Sequence, residues 1–175
     1  MTKGGSQLIL MQKFKGMSLL ELLIAITLIG ILAAISIPSY QKYLQLQKLA
    51  GTTENLYFTL QYARSEAIKR NTNVYVSFQT GTNWCYGVNP NSACTCSTAN
   101  SCTLGSKSAP NNNQLSLSAT GLTNNSVSFE PNHGAAITAS TETFTVTGYS
   151  ASVQIKALGS LRLCSSDLAG YQSCS

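Results

Sequence analysis

Residues 16–38 read GMSLLELLIAITLIGILAAISIP, and the reading of the whole chain turns on them. Met17 to Ile37 is an unbroken apolar run of twenty-one residues whose single charge is Glu21. As a helix it would rise about 30 Å, the thickness of a bilayer's hydrocarbon core, so a membrane-spanning segment is expected. Upstream lies a short basic stretch with Lys3, Lys13 and Lys15 that ends in Lys-Phe-Lys-Gly. An ordinary secretory signal places its small-residue cleavage site after the apolar run. Here the suitable processing point, Gly16, precedes it. Cleavage there would discard residues 1–16 as a leader and leave an apolar helix at the new terminus, Met17.

Glu21 is the residue that calls for explanation. A carboxylate within an apolar helix costs several kcal/mol unless something neutralises it. No Lys or Arg lies between Lys15 and Lys42, so the nearest cation after cleavage would be the free amine of Met17. A second, blander account places Glu21 near the membrane interface, where headgroups, water and the positive end of the helix dipole suit a negative charge.

After Pro38 the helical pattern resumes with a different character. Leu46, Leu49, Thr53, Leu56, Leu60, Ala63 and Ala67 recur at steps of three and four, with Tyr57 and Ile68 widening the stripe. Gln45, Lys48, Glu54, Gln61 and Arg64 fall opposite. This is the face of an amphipathic helix packed on a sheet. Pro38 lacks an amide hydrogen and is expected to bend the helix rather than end it, while Gly30 and Ala34 would allow close helix approach. Past Asn71 the period becomes two: Val74, Val76 and Phe78, then SVSFE (126–130), TFTVT (143–147), SVQIKA (152–157) and LRLC (161–164). Such alternation marks half-buried strands, and residues 89–113 read as polar loops. The expected organisation is α+β, with an apolar helix at 17–37, its amphipathic continuation at 38–71, and an antiparallel sheet domain at 72–175.

Composition narrows the functions. Charged residues are only 10% of the chain against 43% hydrophobic, which excludes a disordered polyelectrolyte and a highly charged protein that wraps nucleic acid. Eleven Lys and Arg face six Asp and Glu, but three of the cations precede residue 16, leaving eight against six. Six cysteines, Cys85, Cys94, Cys96, Cys102, Cys164 and Cys174, all lie in the second half. That pattern fits disulfides made outside the cytoplasm better than zinc, which would want paired Cys-x2-4-Cys or His ligands. Cys164 and Cys174 are an expected pair. Cys85 would take Cys94, Cys96 or Cys102, with the other two joined, a Cys94–Cys96 bond being strained. No metal or other cofactor is expected. With a single histidine, His133, in a turn-like Pro-Asn-His-Gly, and few acids, the chain offers little for acid–base or nucleophilic catalysis, so no enzyme is expected.

Gly16 followed by Met17-Ser18-Leu19-Leu20-Glu21 and an apolar helix interrupted by Pro38 closely resembles the class III signal of type IV pilins and type II secretion pseudopilins. The resemblance implies cleavage after Gly16 by a prepilin peptidase, methylation of Met17, and contact between Glu21 and the terminal amine of a neighbouring subunit. It also implies residence in the bacterial inner membrane with a periplasmic C-terminal domain, then packing with other pilins into a pilus or pseudopilus. NLYFTLQYARSEAIKRNTNVYVSF (55–78), NWCYGV (83–88) and ALGSLRLC (157–164) resemble the GspH/FimT subgroup of minor pilins and pseudopilins. Members help initiate or cap a fibre, and some connected with natural transformation bind DNA through a Gly-Arg-x-Arg motif near the C-terminus. Here that position reads Gly159-Ser160-Leu161-Arg162, without the first arginine. The cations available for DNA are Lys69, Arg70, Lys156 and Arg162, with Lys107. Lys69 and Arg70 also suit a helix C-terminus, where positive charge complements the dipole.

Overall fold

The computed structural model describes residues 16–111 and 113–174. The expected leader lies outside the described residues except for Gly16. The chain divides into an N-terminal unit ending at Gln41 and a second unit from Lys42 onward. A single helix, α1, Leu19–Arg70, is shared by both.

In the N-terminal unit α1 begins at Leu19 and continues through Pro38. Its large apolar side chains, from Leu19 and Leu20 to Ile35 and Ile37, are all exposed. Gly30 faces open space. The hydroxyls in this stretch turn back on the helix: Thr27 donates to the Ile24 carbonyl and Ser36 to the Leu32 carbonyl, each at 2.8 Å. A segment in lipid must satisfy its polar groups internally in this way. The missing amide hydrogen of Pro38 deprives the Ala34 carbonyl of its helical donor.

In the second unit the remainder of α1 packs on two antiparallel four-stranded sheets rather than one. The strands are β1 (Val74–Gln79), β2 (Cys85–Pro90), β3 (Gly105–Ser108), β4 (Ser116–Thr120), β5 (Ser126–Phe129), β6 (Ser140–Val146), β7 (Tyr149–Ile155) and β8 (Leu161–Cys164). The first sheet runs β3-β2-β1-β5 and the second β4-β6-β7-β8. The core joins Leu49, Leu56 and Leu60 of the helix to Val74, Val76, Phe78, Val127 and Phe129 of the first sheet, and to Phe144, Val146, Val153 and Ile155 of the second. Trp84 stacks on Tyr86 at 5.9 Å and meets Phe144 edge-on at 5.0 Å, tying β2 to β6. Such ring pairs add to the burial of their area.

Three expectations change. Ile68 is 50% exposed and Leu46 is only half-buried, whereas Glu66 lies in the buried face. The interior stripe therefore turns one position around the helix before its end, toward Ala63, Glu66 and Ala67. Residues 89–113 are not all loop, since β3 falls within them. Finally, Lys156 follows β7 and sits in a turn, its amide donating to the Ser160 carbonyl at 3.0 Å.

The helix ends in a built stop. Asn71 takes a left-handed φ of 51°, its amide bonds the Ile68 carbonyl, and the Thr72 amide reaches back to Ala67. This is a Schellman motif with asparagine in the position glycine usually takes. Disulfides join Cys85 to Cys96, Cys94 to Cys102 and Cys164 to Cys174. The first two fold residues 91–104 over the outer face of the first sheet. There Gly87 leaves room for Cys102, which any Cβ at position 87 would overlap, and Ser77 accepts a bond from the Cys94 amide at 3.0 Å.

Candidate functional site

At the head of α1, Ser18 is the N-cap: its Oγ accepts from the Glu21 amide at 3.3 Å and its carbonyl from Leu22 at 3.2 Å. Ser18-x-x-Glu21 has the spacing of a capping box, a signal carried by the sequence itself. A chain cut after Gly16 would thus begin with Met17, one residue ahead of a capped helix. Glu21 lies in the first turn, where an anion complements the exposed backbone amides. Within the described chain nothing covers this apolar helix: none of its most apolar eighteen-residue window is buried. Covering it requires lipid or other helices.

The candidate DNA-binding cations do not form one patch of free charge. Lys69 pairs with Glu66 at 3.2 Å, and Arg70 also bonds Glu66 through Nε. The Arg70 bond, with Lys69 beside it, holds the Glu66 carboxyl below the usual carboxylate range against the opposing effect of burial. Arg162 stands opposite Gln154 on the β7–β8 ladder, and its Nη2 donates to the Ser173 carbonyl at 3.4 Å. Lys156 is exposed in the turn before β8, and Lys107 lies on β3.

The glycine of the Gly159-Ser160-Leu161-Arg162 segment has a structural task. Gly159 holds a φ of 74°, and a Cβ there would overlap the Gly134 carbonyl oxygen. Gly134 in turn has a φ of 63° and presses on the helix, where an added Cβ would come within 2.7 Å of Arg64 Cγ. Arg64 Nη2 meets the His133 carbonyl at 3.4 Å. The 156–160 turn is thereby packed backbone to backbone on the His133 loop, which in turn rests on the Arg64 side chain of the helix. Ser160, where the resembled motif has arginine, is exposed.

Two further features escaped sequence reasoning. Glu142 lies on the core side of β6 with Phe144 and Val146, fully buried, opposite Ala119 and Val153. Neither of its carboxylate oxygens has a hydrogen-bond partner, and burial pushes its carboxyl up to about 7. The C-terminal segment is strapped down: Asp167 accepts from the Ser150 amide at 2.8 Å, Ser165 bonds Gln172, and the Tyr171 hydroxyl donates to Glu54 on the helix. Among the described residues no three His, Cys, Asp or Glu side chains gather as a metal site would require.

A capped, uncovered apolar helix that leads into a disulfide-braced antiparallel domain defines a pilin-like subunit. The model of the type II transport protein GspH family matches residues 52–159, more than half of the chain, and that of the prokaryotic N-terminal methylation motif matches residues 11–37. The chain belongs to the GspH family. Crystal structures of the type IV minor pilin FimU of Pseudomonas aeruginosa share the fold. One has a TM-score of 0.54 and 21% identity, over 76% of this chain and 99% of that one. A second crystal form has a TM-score of 0.51 and 22% identity, over 73% and 100%. No curated protein matches the sequence. The methylation motif and the pilin fold together imply processing by a prepilin peptidase, anchoring in the inner membrane and assembly with other pilins.

Proposed function

We propose that this minor pilin or pseudopilin serves a type IV pilus, as a structural subunit of the fibre or of its tip and initiation complex. The observation that supports the reading is the uncovered apolar half of α1, with Glu21 in its first turn directly after Gly16-Met17. Before assembly the helix waits in the inner membrane with the sheet domain in the periplasm. On assembly, contacts with other helices replace lipid, and Glu21 finds its counter-ion in the methylated amine of a neighbour. Cleavage at Gly16 creates that amine on every mature subunit, so processing and assembly are linked through one charge pair. Glu21→Ala is expected to leave processing intact and to lower incorporation into purified fibres by about tenfold or more, since the neighbour's terminal amine would then be buried without its partner. Gly16→Leu is expected to block processing itself. Normal incorporation of Glu21→Ala overturns the pairing.

A DNA receptor for uptake in transformation draws less support. Of its candidate cations, Lys69 and Arg70 share the single carboxylate of Glu66, which offsets one of their two charges, and Arg162 is engaged with the C-terminal segment. DNA affinity would need cations free to meet phosphates, and it would fall steeply with salt. Absence of duplex retardation at low ionic strength removes this reading. Service in a type II secretion machine is the other alternative. It is separated from the pilus by which subunits accompany the full-length protein from membranes.

A further inference from the structure

Each sheet here has two edges, and three of the four carry a backbone bridge to a neighbouring segment. On β5, Phe129 bridges Ala136 and the Ile137 amide bonds the Ser128 carbonyl at 3.0 Å. On β4, Leu117 and Gly81 exchange both of their backbone bonds, at 2.8 and 3.1 Å. On β8, Cys164 bridges Gln172. The fourth edge, β3, has no such bridge among the described residues, and all four of its residues are exposed. Soluble proteins cover or blunt their edges because an open one recruits another strand. Among the described residues β3 is the edge that lacks a bridge of this kind.

The surroundings of β3 say what would fill it. Gly105 and Lys107 stand opposite Val88 and Tyr86 in the ladder, so they point toward the helix. A glycine and a lysine stem replace the apolar side chains that would finish the core there. As a result Phe58 and Tyr62 on α1 remain 64% and 43% exposed. They wall a furrow of about 350 Å³ whose other wall is Tyr86, Val88, Gly105 and Lys107. The Ala109 amide bonds Trp84, and the two-residue repeat of the ladder turns the Lys107 amide toward β2 and that of Ser106 toward the open side. Lys107 also borders an adjoining groove of about 510 Å³ that Lys48 lines.

We propose that β3 is an acceptor edge for an extended segment of a different fibre subunit, one that carries a carboxylate for Lys107 and alternate apolar side chains for Phe58 and Tyr62. The proposal rests on the pilus reading above. A fifth strand in the furrow would satisfy the free backbone groups of β3 and cover both rings, the usual manner of strand addition. A second copy of this chain is a poor occupant, because β3, Gly-Ser-Lys-Ser, offers neither the carboxylate for Lys107 nor apolar side chains for Phe58 and Tyr62, and like charges on paired strands repel.

The test uses the full-length protein in cells that assemble fibres, with the photo-cross-linker benzoylphenylalanine in place of Phe58. Irradiation is expected to give an adduct with one extended segment of another pilin, located by peptide mass mapping. Ser106→Pro removes the outward amide without touching the β2 ladder and should lower the adduct by about tenfold, whereas Ser106→Ala should retain it. Lys107→Glu should lower it similarly and Lys107→Arg should not. Non-reducing mapping of Cys85–Cys96 and Cys94–Cys102 checks that Ser106→Pro has folded, and if it has not, the Lys107 pair decides. An adduct with a helix or with a second copy, an adduct indifferent to these substitutions, or none from fibres that contain the subunit overturns the acceptor edge while the assembly reading stands. Absence of the subunit from fibres overturns both.

Discussion

Glu142 sits in the row Ser140, Glu142, Phe144, Val146 that β6 turns to the core, where no well-formed hydrogen bond reaches its oxygens and the Ser140 hydroxyl and its own amide only partly offset burial. Burial raises its carboxyl from the ordinary 4.5 to about 7. The folded protein therefore holds this proton more tightly than the unfolded chain does. The resulting stabilisation is complete below about pH 4.5 and is lost as pH rises through about 7. The loss amounts to about 3 kcal/mol if Glu142 is the sole contributor in that window. Glu66 acts in the opposite sense, its stabilisation being lost as pH falls through its lowered value, so the range from pH 5 to 8 reports Glu142. Urea unfolding of the purified protein in detergent should show a midpoint that drops across that range, and Glu142→Gln should flatten the drop. Gly159 provides a second residue-scale case. Gly159→Ala must strain a φ of 74° and displace the Gly134 carbonyl. A loss of about 1–3 kcal/mol is expected, read as a lower thermal midpoint.

Among the elements, the amphipathic half of α1 and strands β1, β5, β6, β7 and β8 were legible in the sequence because apolar residues recur in them at helical or alternate spacing, although β5 is buried along its whole length. In β2, Cys85 to Val88 are buried on both faces, one by the core and one by the disulfide loop, and in β3 nothing is buried, so neither leaves a period. β4 does alternate, Leu115, Leu117 and Ala119 against Ser116 and Ser118, a short signal set among polar residues. The Gly16-Met17 junction and Glu21 stand out in the sequence because a charge and a candidate processing point contrast with an apolar background. Glu66 and Glu142 do not, since nothing in their local sequence marks an acid that will be buried. The C-terminal strap depends on its disulfide. Cys164→Ser with Cys174→Ser reopens a ten-residue separation, expected to cost about 2–3 kcal/mol by denaturant unfolding. It should also release Tyr171 from Glu54, whose bond, together with burial, now pushes the phenol up to about 12.

At the scale of the whole molecule, the two units have complementary needs. The domain from Lys42 onward has its own core, whereas the helix that precedes it has an apolar surface that the described chain leaves bare. On the proposed reading, the missing cover comes first from lipid and then from other subunits, and removal of the leader permits the exchange by exposing an amine beside the capped helix that carries Glu21. The most direct test is the intact mass and N-terminal peptide of the protein recovered from native fibres. The predicted species begins at Met17 with one added methyl group, and a product that still carries residues 1–16 would contradict the account.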